Sequence, residues 1–261
     1  MIRDIRVELA KLRTVRMSWG LLATGAALSL LFSVTQSSQA GTAKGNGPLN
    51  TVSGFNSIVT GGVFGLLFAA VIGVFLMTVE FRHQTITLTY LARPNRTRVL
   101  VAKVVAGSLF GALSGVISYV IVLGTALSFT LSKGYKVPIG DATLARYGAG
   151  HLLAGALLAA IGVCVGALVR SQLVGIVAIF VWSILVESLI GGLYTSTRPY
   201  LPYTAATSLG GDALGGAAFG PAHNTGGGVP LSFGASVALL AAIAVVLGVV
   251  GSRTTIQRDV T

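Results

Sequence analysis

Charged residues and cysteine are scarce in this sequence. Charged side chains make up 10% of its 261 residues, whereas a typical soluble domain has about 25%. Cys164 is the only cysteine, so no disulfide can form within the chain, and we expect it to act as a small buried apolar residue. The low charge argues against a soluble protein, whose surface carries most of its charged residues.

The sequence also has none of the residue patterns that define common catalytic and metal sites. None of the three histidines, His83, His151 and His223, is spaced with cysteine or acidic residues as metal ligands are. A Ser/His/Asp set, a paired-carboxylate pattern, a zinc-protease motif and a GxxxxGKS/T phosphate loop are all absent. We therefore expect no catalytic residue, no metal and no cofactor in this chain.

Long apolar stretches dominate instead, since 53% of the residues are hydrophobic. A helix needs about 20 apolar residues to cross a hydrocarbon core of about 30 Å. Six stretches are long enough: residues 17–35, 58–79, 99–131, 148–169, 173–194 and 230–250. We predict an all-α, polytopic membrane protein in which residues 1–261 form one transmembrane domain.

The basic residues follow the orientation rule of membrane proteins. The formal net charge is +11, but the basic residues lie between apolar stretches and form no continuous face, so we do not expect nucleic-acid binding. With the N-terminus in the cytoplasm, 13 of the 18 Lys and Arg residues fall on the cytoplasmic side, as the positive-inside rule favours. Six spans then leave both termini in the cytoplasm.

Residues 1–16 are predicted to form an amphipathic helix. Ile2, Ile5, Leu9 and Leu12 are spaced as one stripe of a helix, and charged residues cover the remainder. Such a helix can lie flat at the headgroup level, with its basic residues near anionic lipid. A disordered basic tail is the alternative.

The connections between spans differ in character. Residues 36–56 are small and polar, which predicts an exposed outer loop. Residues 195–229 are rich in glycine and proline but contain short apolar patches, which favours short interfacial or re-entrant helices, with a mobile loop as the alternative for the second half. Residues 170–172 are the whole connection between the fourth and fifth spans, which predicts a tight turn between antiparallel neighbours.

Small residues recur every four positions in three of the spans. They are Gly61, Gly65, Ala69 and Gly73, then Gly107, Gly111 and Gly115, then Gly162 and Gly166. This spacing lets helix backbones approach closely. We predict packing within the chain, with a subunit interface as the alternative.

Glu187 is the one acidic residue inside an apolar span. A charge near the bilayer centre costs about 2.5–3.5 kcal/mol on insertion scales, so such a residue normally faces a bundle interior or water. Two interpretations remain open. Glu187 is a residue of a transport pathway, or it is structural, in that it snorkels, is protonated or caps a neighbouring helix.

A polar stretch with a specific pattern follows the second span. It comprises Glu80, Phe81, Arg82, His83, Gln84, Thr85, Ile86 and Thr87, then Leu91, Ala92, Arg93, Pro94, Asn95 and Arg96, and Lys103 follows it. This pattern resembles that of ABC exporter permeases of the ABC-2 type, in which an acidic residue ends the second span and a lysine begins the third. His83-Gln84 departs from it, because a glycine often precedes the threonine. The glycine-rich composition is similar to that of actinobacterial proteins.

The resemblance implies an assembly in the bacterial plasma membrane. Two six-helix subunits, most simply two copies of this chain, would pair above two ATP-binding subunits that hold ATP and magnesium. Residues 80–95 would contain the coupling helix, and residues 1–16 would be an elbow helix along the membrane. The implied coupling residues are Glu80, Phe81, Arg82, His83, Thr85, Thr87, Leu91, Arg93, Pro94 and Arg96.

The resemblance implies export as the function, and the few polar groups in the spans favour a hydrophobic or amphipathic substrate such as a drug, an antibiotic or a lipid. In related permeases the second and fifth spans face the dimer axis. This implies that the substrate path is lined by Phe64, Phe68, Phe75, Phe180, Trp182 and Glu187. An ion-coupled secondary transporter, a membrane-embedded enzyme and a non-transporting anchor or sensor subunit are the alternatives.

Overall fold

The computed structural model describes residues 1–40, 47–86, 95–211 and 231–257, with side chains in the last range described as far as Arg253. Every regular element within these ranges is helical, which confirms the all-α prediction. Six helices are long and apolar enough to cross a membrane. We call them the first to sixth spans: Arg16–Gln39, Val52–Arg82, Arg96–Ser132, Asp141–Val169, Gln172–Leu193 and Phe233–Arg253.

Shorter elements precede, interrupt and connect the spans. The N-terminal helix Ile2–Thr14 is separated from the first span by Val15, whose backbone is extended. The second span consists of Val52–Val59, a 3-10 turn at Thr60–Gly62 and Val63–Arg82, and the fifth consists of Gln172–Phe180, a π-helical segment at Val181–Val186 and Glu187–Leu193. A 3-10 helix, Thr195–Tyr200, and an α-helix, Pro202–Leu209, follow it. The last helix runs over Phe233–Gln257.

The loop predicted at 36–56 is shorter than expected, because helix occupies both of its ends. The first span continues to Gln39 and the second already begins at Val52. Ser37 Oγ donates to the carbonyl of Ser33 at 2.7 Å, and Ser33 Oγ donates to the carbonyl of Ile58 at 3.0 Å. These hydroxyl groups are satisfied by helix backbone, so small polar residues do not end the helix here.

The third span is unusually long for a membrane helix. Its 37 residues give a length of about 55 Å, well beyond a hydrocarbon core of about 30 Å. Asn95 begins it, since its side chain accepts a hydrogen bond from the backbone N–H of Arg98 at 3.1 Å. Part of this helix must therefore project from the membrane or tilt strongly.

The second span is the central helix of the bundle. Of its apolar window 89% is buried inside the chain, against 28%, 22% and 11% for the first, fifth and sixth spans. Glycine permits this packing, because a side chain at Gly73 would collide with the carbonyl of Ala159, and one at Gly162 with that of Ala70. The glycine stripes of the second and fourth spans therefore pack within the chain, as predicted.

The connection 170–172 is a tight turn, as predicted. Arg170 adopts a left-handed conformation with φ of 57° and closes the fourth span. Arg82 at the end of the second span donates through Nη1 to Gln172 Oε1 at 3.3 Å. The second, fourth and fifth spans therefore meet at one end of the bundle. Deeper in the fourth span, Cys164 is buried, as expected.

Candidate functional site at the charged end of the bundle

Acidic residues gather at the end of the bundle where the second span ends and the third begins. The chain contains seven acidic residues, and Asp4, Glu8 and Glu80 all lie here in contact with basic partners. We call Glu8, Lys11, Glu80 and Lys103 the tetrad. It joins the N-terminal helix to the second and third spans.

The tetrad alternates two carboxylates with two ammonium groups. Lys103 Nζ donates to Glu8 Oε2 at 2.8 Å and to Glu80 Oε1 at 2.7 Å. Lys11 Nζ donates to Glu8 Oε1 at 2.8 Å and to the same Glu80 oxygen at 2.7 Å. The formal charges therefore cancel within the group.

Three of the four tetrad side chains are removed from solvent. Those of Lys103, Glu8 and Glu80 are 0%, 1% and 6% exposed, whereas that of Lys11 is 40% exposed. A buried charge is tolerated only when it is paired and hydrogen-bonded. Glu80 Oε2 has no hydrogen-bond partner among the described residues, so all of the pairing of Glu80 passes through its other oxygen.

Lys11 remains a cation in this environment. Burial alone would lower the pKa of Lys11, but the hydrogen bonds with Glu8 and Glu80 and their negative charges outweigh it and raise the pKa above its usual value. The ammonium group that faces solvent is therefore protonated at physiological pH.

A further ion pair continues the contact along the N-terminal helix. Arg98 Nε donates to Asp4 Oδ2 at 2.7 Å, one turn before the contact of Glu8 with Lys103. Leu12, one turn after Glu8, packs in a cluster with Ala106 and Phe110 of the third span. The two helices therefore run side by side in the same direction.

The buried face of the N-terminal helix differs from the predicted apolar stripe. Asp4, Glu8 and Leu12 are buried, whereas Ile2 is 71% exposed. The reason is electrostatic, because Lys103 has no solvent access and requires carboxylate partners. The spacing of Asp4 and Glu8, four residues apart on one helical face, is the sequence signal for this arrangement.

The second span ends in a Schellman motif directly after the tetrad. The backbone N–H of Thr85 donates to the carbonyl of Glu80 at 3.0 Å, and that of Gln84 donates to the carbonyl of Phe81 at 3.2 Å. Gln84 has a positive φ of 54°, the conformation in which glycine is usual. The sequence has His83-Gln84 where the family pattern often has a glycine. Gln84 nevertheless adopts the left-handed conformation, which a glycine would adopt with less strain.

The structure separates the predicted coupling residues by exposure. Glu80 is buried, Phe81 and Arg96 are partly buried, and Arg82, His83 and Thr85 are exposed. Thr87, Leu91, Arg93 and Pro94 lie outside the described residues. A groove of about 540 Å³ lies beside Phe81 and Arg82 and is closed on its other side by the turn at 170–172.

Glu187 caps a neighbouring helix. Its Oε1 accepts from the backbone N–H of Tyr203 at 2.8 Å and from Trp182 Nε1 at 3.0 Å. Its Oε2 accepts from the backbone N–H of Thr204 at 2.8 Å and from its hydroxyl at 2.9 Å. Pro202 begins that helix and has no N–H, so the carboxylate satisfies the next two donors. Of the structural interpretations, the structure shows the helix cap.

The aromatic residues predicted to line a path lie in two environments. Phe68 and Phe75 are 7% and 3% exposed, inside the chain, and the Phe68 ring meets that of Phe180 edge-on with centroids 6.0 Å apart. Phe64 packs against Phe32. Trp182 is 45% exposed. Their role in a path stays a prediction, and a path along Phe68 and Phe75 requires the bundle to open.

Comparison with known proteins identifies the family. A family model described as ABC-2 family transporter protein matches residues 5–186. The chain belongs to the ABC-2 family of transporter proteins. An ABC-2 protein is the multi-pass membrane component of an ABC transporter, it acts in transport rather than catalysis, and it works with an ABC ATP-binding subunit. A search of curated proteins finds no match.

The ABC-2 match covers the whole tetrad and ends one residue before Glu187. The ABC-2 sequence pattern included Glu80 and Lys103, but it did not predict that they contact each other. It also gave no indication that Glu8 and Lys11 join them in the tetrad. Among the described residues, no group of three or more His, Cys, Asp and Glu side chains could hold a metal ion. What the tetrad of this ABC-2 protein can do is hold three helix segments together through charge.

Proposed function

We propose that this chain is the membrane-spanning subunit of an ATP-driven exporter in the bacterial plasma membrane, with both termini in the cytoplasm. It pairs with a second permease subunit, most simply a copy of itself, and with two ATP-binding subunits that carry ATP and magnesium. The observation that carries the proposal is the tetrad, which connects three helix segments beside the residues predicted to contact the ATP-binding subunit.

In this proposal the tetrad transmits movement of the coupling segment. Lys103 contacts both Glu8 and Glu80, so a displacement of the end of the second span also moves the third span and the N-terminal helix. The second span is the central helix, and its displacement changes the packing of most of the bundle. Alternating access requires such a collective change between two packed arrangements.

The proposed contact surface for the ATP-binding subunit is polar and basic. Arg82, His83, Gln84 and Thr85 are exposed one after another, and the groove of about 540 Å³ lies next to Arg82. A basic surface favours a partner with acidic residues at the matching position. We propose that the ATP-binding subunit occupies this groove with the coupling segment 80–95 inserted in its own cleft.

We propose a hydrophobic or amphipathic substrate that moves along the fifth span. This span presents an apolar outer face, since Val177, Val181 and Leu185 are 48%, 43% and 55% exposed, and Trp182 lies beside them. Phe180 of this span contacts Phe68 of the second span. In the proposal Phe64 and Phe180 line the path, and the buried Phe68 and Phe75 join it only when the bundle opens. The same face is available for pairing with the second subunit.

Cysteine labelling tests both the orientation and the contact. Cys164 is the only cysteine, so a Cys164→Ala chain provides a background for His83→Cys, with Lys133→Cys at the opposite end of the third span as the matched control. In intact cells, a membrane-impermeant maleimide should label the Lys133→Cys variant but not the His83→Cys variant. The His83→Cys variant should be labelled only in inverted vesicles. Co-expression with the ATP-binding proteins of the same operon should protect the cysteine at position 83, but not the one at position 133, from labelling.

The opposite result would overturn the proposal. Labelling of position 83 in intact cells contradicts the orientation. If no ATP-binding protein co-purifies with the chain or protects position 83, the proposed contact surface is wrong. Export measured in vesicles, with and without ATP, then distinguishes the exporter from an ion-coupled transporter.

A further inference from the structure

A second groove lies on the outside of the N-terminal helix, away from the tetrad. It has a volume of about 520 Å³ and lies between the N-terminal helix, the first span and the third span. Leu9, Trp19, Leu109, Phe110 and Leu113 provide most of its lining, and Arg6 and Arg13 are its two charged residues. The groove is therefore apolar with a cationic edge.

The two arginines are available for a ligand. Within the part of the chain that the structure describes, the side chains of Arg6 and Arg13 form neither an ion pair nor a hydrogen bond. The nearby carboxylates are already used, because Asp4 pairs with Arg98 and Glu8 pairs with two lysines. No carboxylate among the described residues therefore neutralises the positive charge at the groove.

The groove lies where the chain enters the apolar layer. The first span begins at Arg16, and Trp19 donates through Nε1 to the carbonyl of Arg13 at 2.9 Å. The indole ring meets the Phe110 ring edge-on with centroids 5.6 Å apart. The hydrogen bond and the ring contact together fix the position of the Trp19 side chain. Tryptophan is enriched at the boundary between headgroups and hydrocarbon. Exposed Leu109 and Leu113 continue the groove toward the hydrocarbon.

We propose that this groove binds one anionic phospholipid. The guanidinium groups of Arg6 and Arg13 hold the phosphate through charge-assisted hydrogen bonds, and an acyl chain lies along Leu109 and Leu113. A zwitterionic lipid fits less well, because its headgroup brings a cation close to the arginines. The site is independent of the proposed export function, since it needs only the membrane and the packing of the N-terminal helix against the first and third spans.

A second copy of the chain is a poorer occupant on charge grounds. Of the acidic residues that the structure describes, Asp4, Glu8, Glu80 and Glu187 are buried, and Asp141 begins the fourth span far from this end. Asp141 is exposed, but it lies at the opposite end of the bundle, so within the described ranges a second copy in the same membrane offers these arginines no exposed carboxylate at their own end. An anionic lipid provides both the negative charge and the apolar chain.

Tryptophan fluorescence tests the proposal directly. The chain has two tryptophans, so Trp182→Phe leaves Trp19 as the only indole. The full chain is reconstituted in nanodiscs, and quenching of Trp19 by phosphatidylglycerol with brominated acyl chains is compared with that by brominated phosphatidylcholine. We expect stronger quenching by the anionic lipid. The double substitution Arg6→Gln with Arg13→Gln should reduce the relative affinity about fivefold for each arginine removed.

Arg3→Gln is the matched control. Arg3 is exposed on the same helix and does not line the groove, so its substitution should leave the preference for anionic lipid within about twofold. Equal quenching by the two lipids would overturn the proposal. An equal effect of Arg3→Gln would also overturn it, because it would indicate a general attraction of the basic helix.

Native mass spectrometry provides a second measurement that needs no tryptophan substitution. The unmodified chain released from detergent with added phosphatidylglycerol should retain one lipid more than the Arg6→Gln, Arg13→Gln chain. If the arginine substitutions instead change the proportion of dimer and leave lipid retention unchanged, the occupant is a second copy and the proposal is wrong.

Discussion

Lys103 Nζ of the third span lies 2.8 Å from Glu8 Oε2 of the N-terminal helix, and neither side chain reaches solvent. A fully buried ion pair contributes little net stability, because removal of both charges from water offsets their attraction. It does, however, make the position of the N-terminal helix specific. Any arrangement that separates these two residues leaves an unpaired charge in an apolar environment.

Replacement of Lys103 is expected to be the most damaging change in the tetrad. Lys103→Ala leaves Glu8 and Glu80 close together with Lys11 as their one remaining cation, and breaking a buried pair in this way costs about 3–5 kcal/mol. Lys11→Ala should cost less, because Lys11 is 40% exposed and water replaces it. Thermal unfolding followed by size-exclusion chromatography in detergent measures both, with Lys136→Ala as a surface control. Equal stability of the Lys103 and Lys136 variants would contradict the burial of Lys103.

The ion pair between Asp4 and Arg98 is expected to have a local effect. The Arg98 side chain is 52% exposed, so Asp4→Asn should lower global stability by no more than about 1 kcal/mol. The first turn of the N-terminal helix should nevertheless open more often. Hydrogen exchange should therefore rise at the first turn and stay unchanged near Leu12. Unchanged exchange at the first turn would show that the pair does not hold this turn in place.

Gln84→Gly is expected to stabilise the end of the second span. A non-glycine residue in the left-handed conformation costs about 1–2 kcal/mol, and glycine removes most of this strain but gains freedom in the unfolded chain. Gln84→Val should destabilise, because a β-branched residue is a poorer fit to a φ of 54°. Unfolding midpoints should rank glycine, glutamine, valine. The reverse ranking would exclude the Schellman geometry.

Glu187 provides a test that separates its structural role from a transport role. Glu187→Ala leaves two backbone N–H groups unpaired, at about 1–3 kcal/mol for each buried group, whereas Glu187→Gln keeps an oxygen that accepts from one of them. A cap predicts that transport activity and stability fall together, with Ala worse than Gln. If Glu187→Gln abolished transport at unchanged stability, Glu187 would belong to a transport pathway.

Gly73→Ala should destabilise the bundle by about 1–3 kcal/mol, because an added methyl group collides with the carbonyl of Ala159 and overpacks the core. Gly124→Ala is the matched control, since nothing lies within 4 Å of a Cβ at this position. The control should be neutral or slightly stabilising, as alanine favours helix. Unfolding midpoints of the two variants check the expectation, and similar values would contradict the close approach of the second and fourth spans.

The sequence predicted the number of spans well because helix length in a bilayer follows directly from apolar runs. It did not predict which span is central. The protein interior and the lipid are equally apolar, so the second and sixth spans have similar composition, although 89% and 11% of their apolar windows are buried. The sequence also predicted too early an end for the first span, which continues to Gln39 because Ser33 and Ser37 satisfy their hydroxyl groups on helix backbone.

The tetrad could not be derived from spacing because its members are distant in the chain. Glu8 and Lys103 are 95 residues apart, and no local periodicity connects them. The acidic face at Asp4 and Glu8 was visible, but an apolar stripe on the same helix suggested a different orientation. For Glu187 a helix cap was among the expectations, because an acidic residue inside an apolar span needs hydrogen-bond partners. The structure shows that its backbone partners lie 16 and 17 residues further on.

The distance along the chain between the tetrad members sets an order for biosynthesis. The N-terminal helix leaves the ribosome first, but Glu80 follows Lys11 by 69 residues and Lys103 follows Glu8 by 95. At about 5–20 residues per second, Glu8 waits roughly 5–20 seconds for its buried partner. During that time its carboxylate stays hydrated at the membrane surface. The N-terminal helix therefore reaches its final position only after the first two spans and the first turns of the third, which carry Lys103, have been synthesised, so its docking reports that this part of the bundle is in place.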